Sequence, residues 1–483
     1  MKLLRMIGRI FNRPRMERRF RAATSNRLID WALSPVKVNA ELKTDYLSMT
    51  LRARDLAKNN EFVAGYLDNL KRNVLGAHGF TLQSKAEPAE LARKVEALWT
   101  EYQSRSGAFV TLDELQSGRD FDLLILRTLA IDGEVFIRRV FDPVSPYGWR
   151  YEVLDSLEID PFYNEELSDG GRIVMGIRFD ARGRERSFFL RRSKTTDHYF
   201  CGERIEIPAS NVIHIFRKFF PDQARGYTPL AGIILNLAQM DAYKEAEIVH
   251  ARIQACVMGI WEWNGQNTGD FLDATDDKGE FVREIKSGIF PVAPKGYSAK
   301  FLQNTSPNNQ FGTFWKTILR SVSNALGMSY NKAAGDYESI NYSSAREASL
   351  EDRANFEEMQ QFMIENWKNS QFRFFVRALA LNGKISGAEA AECMKHKFFG
   401  RRFAWIDPQK EINAKREEMN LLLTDPITEL EMRGLDPVEV IARWARWRGM
   451  CAEQGIPFME QPPALLPPEE EEKTETEGTL KNE

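Results

Sequence analysis

Leu326-Gly327-Met328-Ser329-Tyr330 opens a stretch that runs to Leu381 and decides how the chain is read. A short polar segment, Asn331 to Asn341, follows and carries Gly335-Asp336-Tyr337-Glu338. The pattern then predicts a helix entered at Ser343-Ser344. Ser344 with Glu347 three residues on has the form of a capping box: the Ser oxygen takes an early backbone N–H and the Glu reaches back to the cap. Apolar residues recur at helical spacing, at Leu350, Ala354, Met359, Phe362, Met363, Trp367, Phe375 and Leu379. Asn382-Gly383 supplies a stop, because Gly takes the left-handed conformation without strain. At 1.5 Å per residue such a helix runs roughly 55 Å. A stripe of that length needs neighbours to cover it. Periodicity alone fits a long core helix in an ordinary enzyme just as well.

Composition narrows the class. The chain has 483 residues, 43% hydrophobic and 28% charged, enough for several cores and too apolar for general disorder. Its net charge of −3 excludes a generally basic nucleic-acid binder, so any contact with nucleic acid is local. Cys201, Cys256, Cys393 and Cys451 are scattered with no C-x-x-C pair, and the His residues are equally scattered. Neither a zinc site nor a disulfide framework is indicated, which fits free thiols in a reducing cytosol. Before Asp30, Lys2, Arg5, Arg9, Arg13, Arg15, Arg18, Arg19, Arg21 and Arg27 face only Glu17. This basic arm either touches nucleic acid, scaffold or capsid, or is a solvated terminus; both readings stand. Its first apolar run is too short and interrupted for a signal peptide or membrane helix.

Four motifs carry a resemblance. They are Gly335-Asp336-Tyr337 with Asn341-Tyr342-Ser343-Ser344-Ala345-Arg346, Arg225-Gly226-Tyr227-Thr228-Pro229-Leu230, Trp405-Ile406-Asp407-Pro408-Gln409-Lys410-Glu411, and the run Leu51 to Asn60. In identity, order and spacing they resemble the lambda-like family of tailed-phage portal proteins, over about residues 20 to 450. The resemblance implies an α+β subunit with long stem and wing helices, a β-rich wing and a small clip. It implies assembly as a ring of twelve at one capsid vertex, through which double-stranded DNA enters and leaves.

Local patterns fill this frame. Residues 40 to 78 read as helical, with Gly76 ending the run, and Phe80 to Gln83 as a short strand. Glu87 to Ser104 and Leu112 to Ile131 read as helices, and Glu134 to Val140 as a strand after Gly133. Arg172 to Phe179, Ser187 to Arg191 and Val212 to Phe216 read as strands, with Ala181-Arg182-Gly183 a turn. Pro229 to Trp261 reads as a long amphipathic helix with Pro in its first turn. Glu284 to Val292 is the clearest strand of a Gly- and Asp-rich module, and Pro307 to Met328 is a second helix. Pro408 to Leu423, Pro426 to Arg433 and Val438 to Trp447 are smaller helices; no base-reading face marks the last pair as a DNA-binding helix-turn-helix. Pro462-Pro463, Pro467-Pro468 and Glu469 to Glu472 make an acidic, Pro-rich tail with a disordered composition. Mapped through the resemblance, residues 1–30 are the arm, 31–228 the wing and 229–263 the first stem helix. Residues 264–306 are then the clip, 307–328 the second stem helix and 329–342 the tunnel loop. Residues 343–385 are the long wing and crown helix, 386–457 the crown, and 458–483 the tail.

No phosphate-binding G-x-x-x-x-G-K-[ST], G-x-S-x-G or H-E-x-x-H motif is present, and no cofactor is implied. The expected role is mechanical, with ATP hydrolysis in a separate motor. Tunnel-loop residues are expected to be Lys332, Gly335, Asp336, Tyr337, Glu338 and Asn341. Exposed acids there keep DNA sliding, and Lys332 offers a transient phosphate contact, because a strongly basic lining would hold a polymer with one charge per ~1.7 Å. The stripes are taken as too large for one subunit to cover, so Leu237, Ile253, Met363 and Trp367 are expected at subunit interfaces. Asn264, Asp270, Asp273, Asp276 and Asp277 are expected to dock the motor. The implied partners are further copies of the chain, the terminase large subunit, major capsid or scaffold protein, a head–tail connector and double-stranded DNA, with no membrane. The implied location is the virion, and the host cytoplasm during assembly. The alternative class is a metal-dependent nucleic-acid enzyme on an α+β core.

Overall fold

The computed structural model describes residues 35–192, 198–256, 259–263, 297–301, 311–338, 340–403, 408–433, 435 and 437–455. Helix α1 (Val38–Asn59) buries Leu42, Tyr46, Thr50, Ala53 and Leu56, one face at three- and four-residue spacing. Asn60 then leaves helical geometry, and its side chain accepts from the Phe62 and Val63 N–H groups to start α2 (Glu61–Leu70). The helical run expected over residues 40 to 78 is therefore two helices joined at a cap. It continues through the π-turn Lys71–Leu75 to Gly76. Strand β1 (Thr81–Ser84) is followed by α3 (Ala89–Gln103) and α4 (Gly118–Asp132). Ser117 caps α4 by accepting from Asp120 N–H, so this helix starts later than the expected Leu112.

The sheet region comes next. Strand β2 (Glu134–Phe141) is central between β3 (Trp149–Leu154) and β9 (Val212–Phe216), antiparallel to both. A five-stranded meander lies between β3 and β9 in sequence: β4 (Glu165–Glu166), β5 (Arg172–Val174), β6 (Ile177–Phe179), β7 (Glu185–Arg191) and β8 (Arg204–Pro208). The strand expected over Arg172 to Phe179 is split by a turn at Met175-Gly176, both at positive φ, which folds it into a hairpin. Phe136, Leu154, Ile177 and Phe188 join the sheets through a core that Leu42 and Tyr46 of α1 also enter.

Helix α5 (Ile234–Cys256) is shorter than the expected Pro229–Trp261. Its predicted last turn instead belongs to β10 (Gly259–Trp263), antiparallel to β11 (Tyr297–Phe301). Ile260, Trp261 and Trp263 are strand-formers, and pairing with β11 overrides the helical spacing. Helix α6 (Phe311–Ala325) and the short α7 (Tyr330–Ala334) lead to α8 (Tyr342–Met363), a π-turn at Ile364–Lys368, and α9 (Asn369–Leu381). Asn341, not Ser344, is the cap: its side chain accepts from Ser344 N–H, which places both serines inside the helix. The chain closes with α10 (Gly387–Cys393), β12 (His396–Phe399), α11 (Pro408–Asn420), α12 (Pro426–Met432) and α13 (Pro437–Glu453).

The main core gathers α1 to α4 against α8 and α9. Trp99 meets Phe372 and Phe375 edge-on at 5.4 and 5.1 Å. Strand β12 pairs with β1, so the segment after the long helix returns to the start of the fold. The fold is mixed α+β. Among the described residues no helix is long and apolar enough to cross a membrane.

Candidate channel segment and its anchors

The segment between α6 and α8 is more tightly held than its polar sequence implies. Leu326 and Gly327 make a tight turn out of α6, and Met328 is buried. Ser329 donates to Asp352 of α8 twice, from its backbone N–H and its hydroxyl, both at 2.7 Å. Lys332 Nζ lies 3.7 Å from the same carboxylate and 4.6 Å from the centre of the Phe356 ring. Partial burial holds the Lys332 ammonium below its ordinary pKa despite Asp352. Lys332, expected to offer a transient phosphate contact, is turned onto α8.

Gly335 ends α7 at φ +67° with open space where a side chain would sit, so conformation rather than crowding requires Gly. Asp336 then folds back. Its carboxylate accepts from the Tyr330 hydroxyl at 2.8 Å and sits 3.0 Å from Lys316 of α6, while Glu338 N–H caps its other oxygen. The Tyr330 and Lys316 bonds hold its pKa at about 2. Arg320 lies over the Tyr330 ring at 5.4 Å. Asp336 was expected as an exposed acid facing the polymer; it is instead a tie within the subunit. Tyr337 and Glu338 are exposed, and Asn341 serves as the helix cap.

Three of the expected interface residues occupy the subunit's own core. Leu237, Met363 and Trp367 are each 0% exposed. Trp367 Nε1 donates to Asp122 at 2.7 Å, beside the buried Lys368–Asp122 pair at 3.1 Å. The premise that one subunit cannot cover the stripes fails because α1 to α4 supply a second layer. The Ile253 side chain lies outside the described residues, as do Asn264, Asp270, Asp273, Asp276, Asp277 and the strand expected over Glu284 to Val292. What α5 and α6 leave exposed is Leu235, Ile248, Val249 and Phe314. The C-terminal region exposes far more: Leu421, Leu422 and Leu423 in the turn between α11 and α12, and Ile427, Met432, Ile441, Trp444, Trp447 and Met450 on the helices.

Two further motifs are structural. Arg225 is fully buried, 2.6 Å from Glu134, and donates to the carbonyls of Ser156, Ile159 and Met175. Glu134 also accepts from Tyr46 hydroxyl at 2.6 Å and Gly226 N–H at 2.8 Å. Burial pushes the Glu134 pKa up, but Arg225 and His214 outweigh it and bring it to about 2. A Cβ on Gly226 would lie 2.5 Å from Gly133 O, so the two backbones touch only because both residues are Gly. Arg54 pairs with Asp132 and Asp155, each at 2.6 Å, and is not a free phosphate ligand. Of the Trp405 to Glu411 motif, residues 405–407 lie outside the described residues. Sequence reasoning missed Lys316, Tyr330 and Asp352, the residues that hold the segment; Lys316 and Asp352 meet it from distant positions in the sequence.

Among the described residues no group of His, Cys, Asp or Glu is placed to hold a metal ion. Residues 24–360 match the model of the family described as phage portal protein, lambda family. A probable portal protein of Halomonas phage phiHAP-1 is 28% identical over 445 residues, covering 88% of this chain and 85% of that protein. Portal protein B of Escherichia phage lambda is 20% identical, covering 87% of this chain and 86% of its own length. A chain from the neck of an empty gene transfer agent particle superposes with a TM-score of 0.45 at 13% identity, covering 81% of this chain and 94% of that chain. With the family model matching well over half of the chain, the chain belongs to the lambda family of phage portal proteins, structural components of the virion rather than enzymes.

Proposed function

We propose that this portal protein closes into a ring of twelve at one capsid vertex and that double-stranded DNA passes through its channel during packaging and ejection. The observation that carries the reading is the apolar surface left by one subunit. From Leu421 to Met450 the C-terminal helices and the turn between α11 and α12 hold out large side chains, with Leu422 89% and Leu423 74% exposed in that turn. Large apolar side chains exposed in this number mark a surface for association, and repeated copies around an axis would cover them. Leu235, Ile248, Val249 and Phe314 extend the same need along the stem helices.

In this reading the segment of residues 329–342 faces the channel, with Tyr337 and Glu338 as its outward groups. The terminase large subunit and later the head–tail connector dock on residues 264–306, whose sequence carries Asp270, Asp273, Asp276 and Asp277. The wing meets major capsid or scaffold protein, and assembly takes place in the host cytoplasm. Negative-stain images of purified protein test the ring: annular particles with a central hole are expected, and uniform monomers contradict it. Deleting residues 264–277 tests the docking: rings should persist while packaging with the cognate motor stops. Loss of rings would move that segment into the subunit interface.

A further inference from the structure

His214 sits where the two sheets meet, and its side chain is 1% exposed. Its Nε2 lies 3.1 Å from Glu134 of β2 and its Nδ1 lies 2.9 Å from Glu185 of β7. Neutral imidazole has one N–H, so it can donate to only one of these carboxylates. Glu134 has no room to be the protonated partner. Its oxygens already accept from Tyr46 hydroxyl, Arg225 and Gly226 N–H. Glu185 is 31% exposed and keeps solvent around its charge. Both ring nitrogens therefore donate, and the ring is an imidazolium. The charges then balance: Glu134 and Glu185 against His214 and Arg225. The other groups packed on the ring carry no charge. Phe136 of β2 stacks at 4.2 Å, Phe216 of β9 at 4.5 Å, and Phe188 of β7 meets it edge-on at 5.9 Å.

We propose that His214 is a proton-operated clamp between the three-stranded sheet and the five-stranded meander. With its proton, the ring ties β7 to β2 and β9. When the proton leaves at alkaline pH, one carboxylate faces a lone pair and the buried cluster carries an uncompensated negative charge. The β7 side then loosens, because Glu185 is the partner with access to water. Raised above its ordinary value by the two carboxylates against the opposing effect of burial, the histidine contributes fully below about pH 6.5. That contribution is lost as pH rises through its folded-state pKa.

The test is the thermal midpoint of the assembled full-length protein from pH 6 to 9.5, for wild type, Glu185→Gln and His214→Phe. Wild type should lose roughly 1–2 °C across the window. Glu185→Gln should move that loss to lower pH, because one of the two carboxylates holding the proton is gone. His214→Phe should be less stable throughout but show no such loss. A flat wild-type profile, an unshifted loss in Glu185→Gln, or a wild-type profile retained in His214→Phe each overturns the proposal. Should His214→Phe fail to fold, the wild-type and Glu185→Gln profiles decide it.

Discussion

Lys316 Nζ lies 3.0 Å from Asp336 Oδ2, tying the end of the polar segment back to the helix that precedes it. The tie separates two effects that the sequence merges. Asp336→Lys would set a cation against Lys316 and free the Tyr330 hydroxyl. The segment should then open, with faster protease cleavage or hydrogen exchange across residues 330–341. Glu338→Lys leaves the tie in place, so the thermal midpoint should not move while DNA packaging slows and recovers in part with added salt. Equal stability loss in both variants would remove the distinction.

Asp336 also sets an acid response. Its pKa is depressed to about 2, so the stability it contributes is complete above the ordinary carboxylate range near 3.9. That contribution is lost as pH falls from about 4 toward 2. Exchange of residues 330–341 should rise in that window in wild type and already be high at neutral pH in Asp336→Asn.

Asp352 holds the other end of the segment and is 2% exposed. Asp352→Ala strips the acceptor from Ser329 N–H and hydroxyl and from Lys332. Ser329 and Lys332 are half-buried, so leaving their donors unmet costs about 1 kcal/mol. Urea denaturation should show this as a lower midpoint with an unchanged slope.

The Arg225–Glu134 pair gives the largest expected effect. Both side chains are 0% exposed. Arg225→Met removes one charge and leaves the other buried, a change of about 3–5 kcal/mol. Soluble yield and thermal midpoint should fall sharply. A near-neutral outcome would mean that the motif around Arg225 is held by something other than this pair.

How much of this was legible in the sequence depended on the range of the interaction. The helical stripe was readable through Met363, Trp367, Phe375 and Leu379 because its period is local, but its start was misread: Leu350 and Ala354 are exposed, and Phe356 is buried instead. The split at Asn60 was not, because an Asn cap and an Asn on a helix face look alike without the backbone angles. Strand β12 was missed because it depends on β1, near the other end of the chain. The segment was read as a loop, but it carries α7, and Asp336 was read as exposed. Lys316 lies twenty residues before Asp336 and Asp352 twenty after Lys332, and no pattern links such positions. Leu237, Met363 and Trp367 were read as interface for a related reason: periodicity marks a face as buried without saying which element buries it.

Burial of the stem side chains now separates subunit folding from assembly. Leu237→Asp should prevent folding of the subunit, because it charges a closed core. Ile248→Asp and Val249→Asp, at positions 46% and 44% exposed, should leave the subunit folded and weaken the ring. Circular dichroism beside size exclusion distinguishes the two outcomes. If Ile248→Asp and Val249→Asp give full ring yield, this face of α5 is not an interface.

Native mass spectrometry of the purified full-length protein tests the central claim most directly. A closed ring predicts one dominant species near twelve times the 55.6 kDa subunit mass, stable on dilution into the micromolar range. A population dominated by monomers or dimers, with the C-terminal leucines and tryptophans left in solvent, would contradict it.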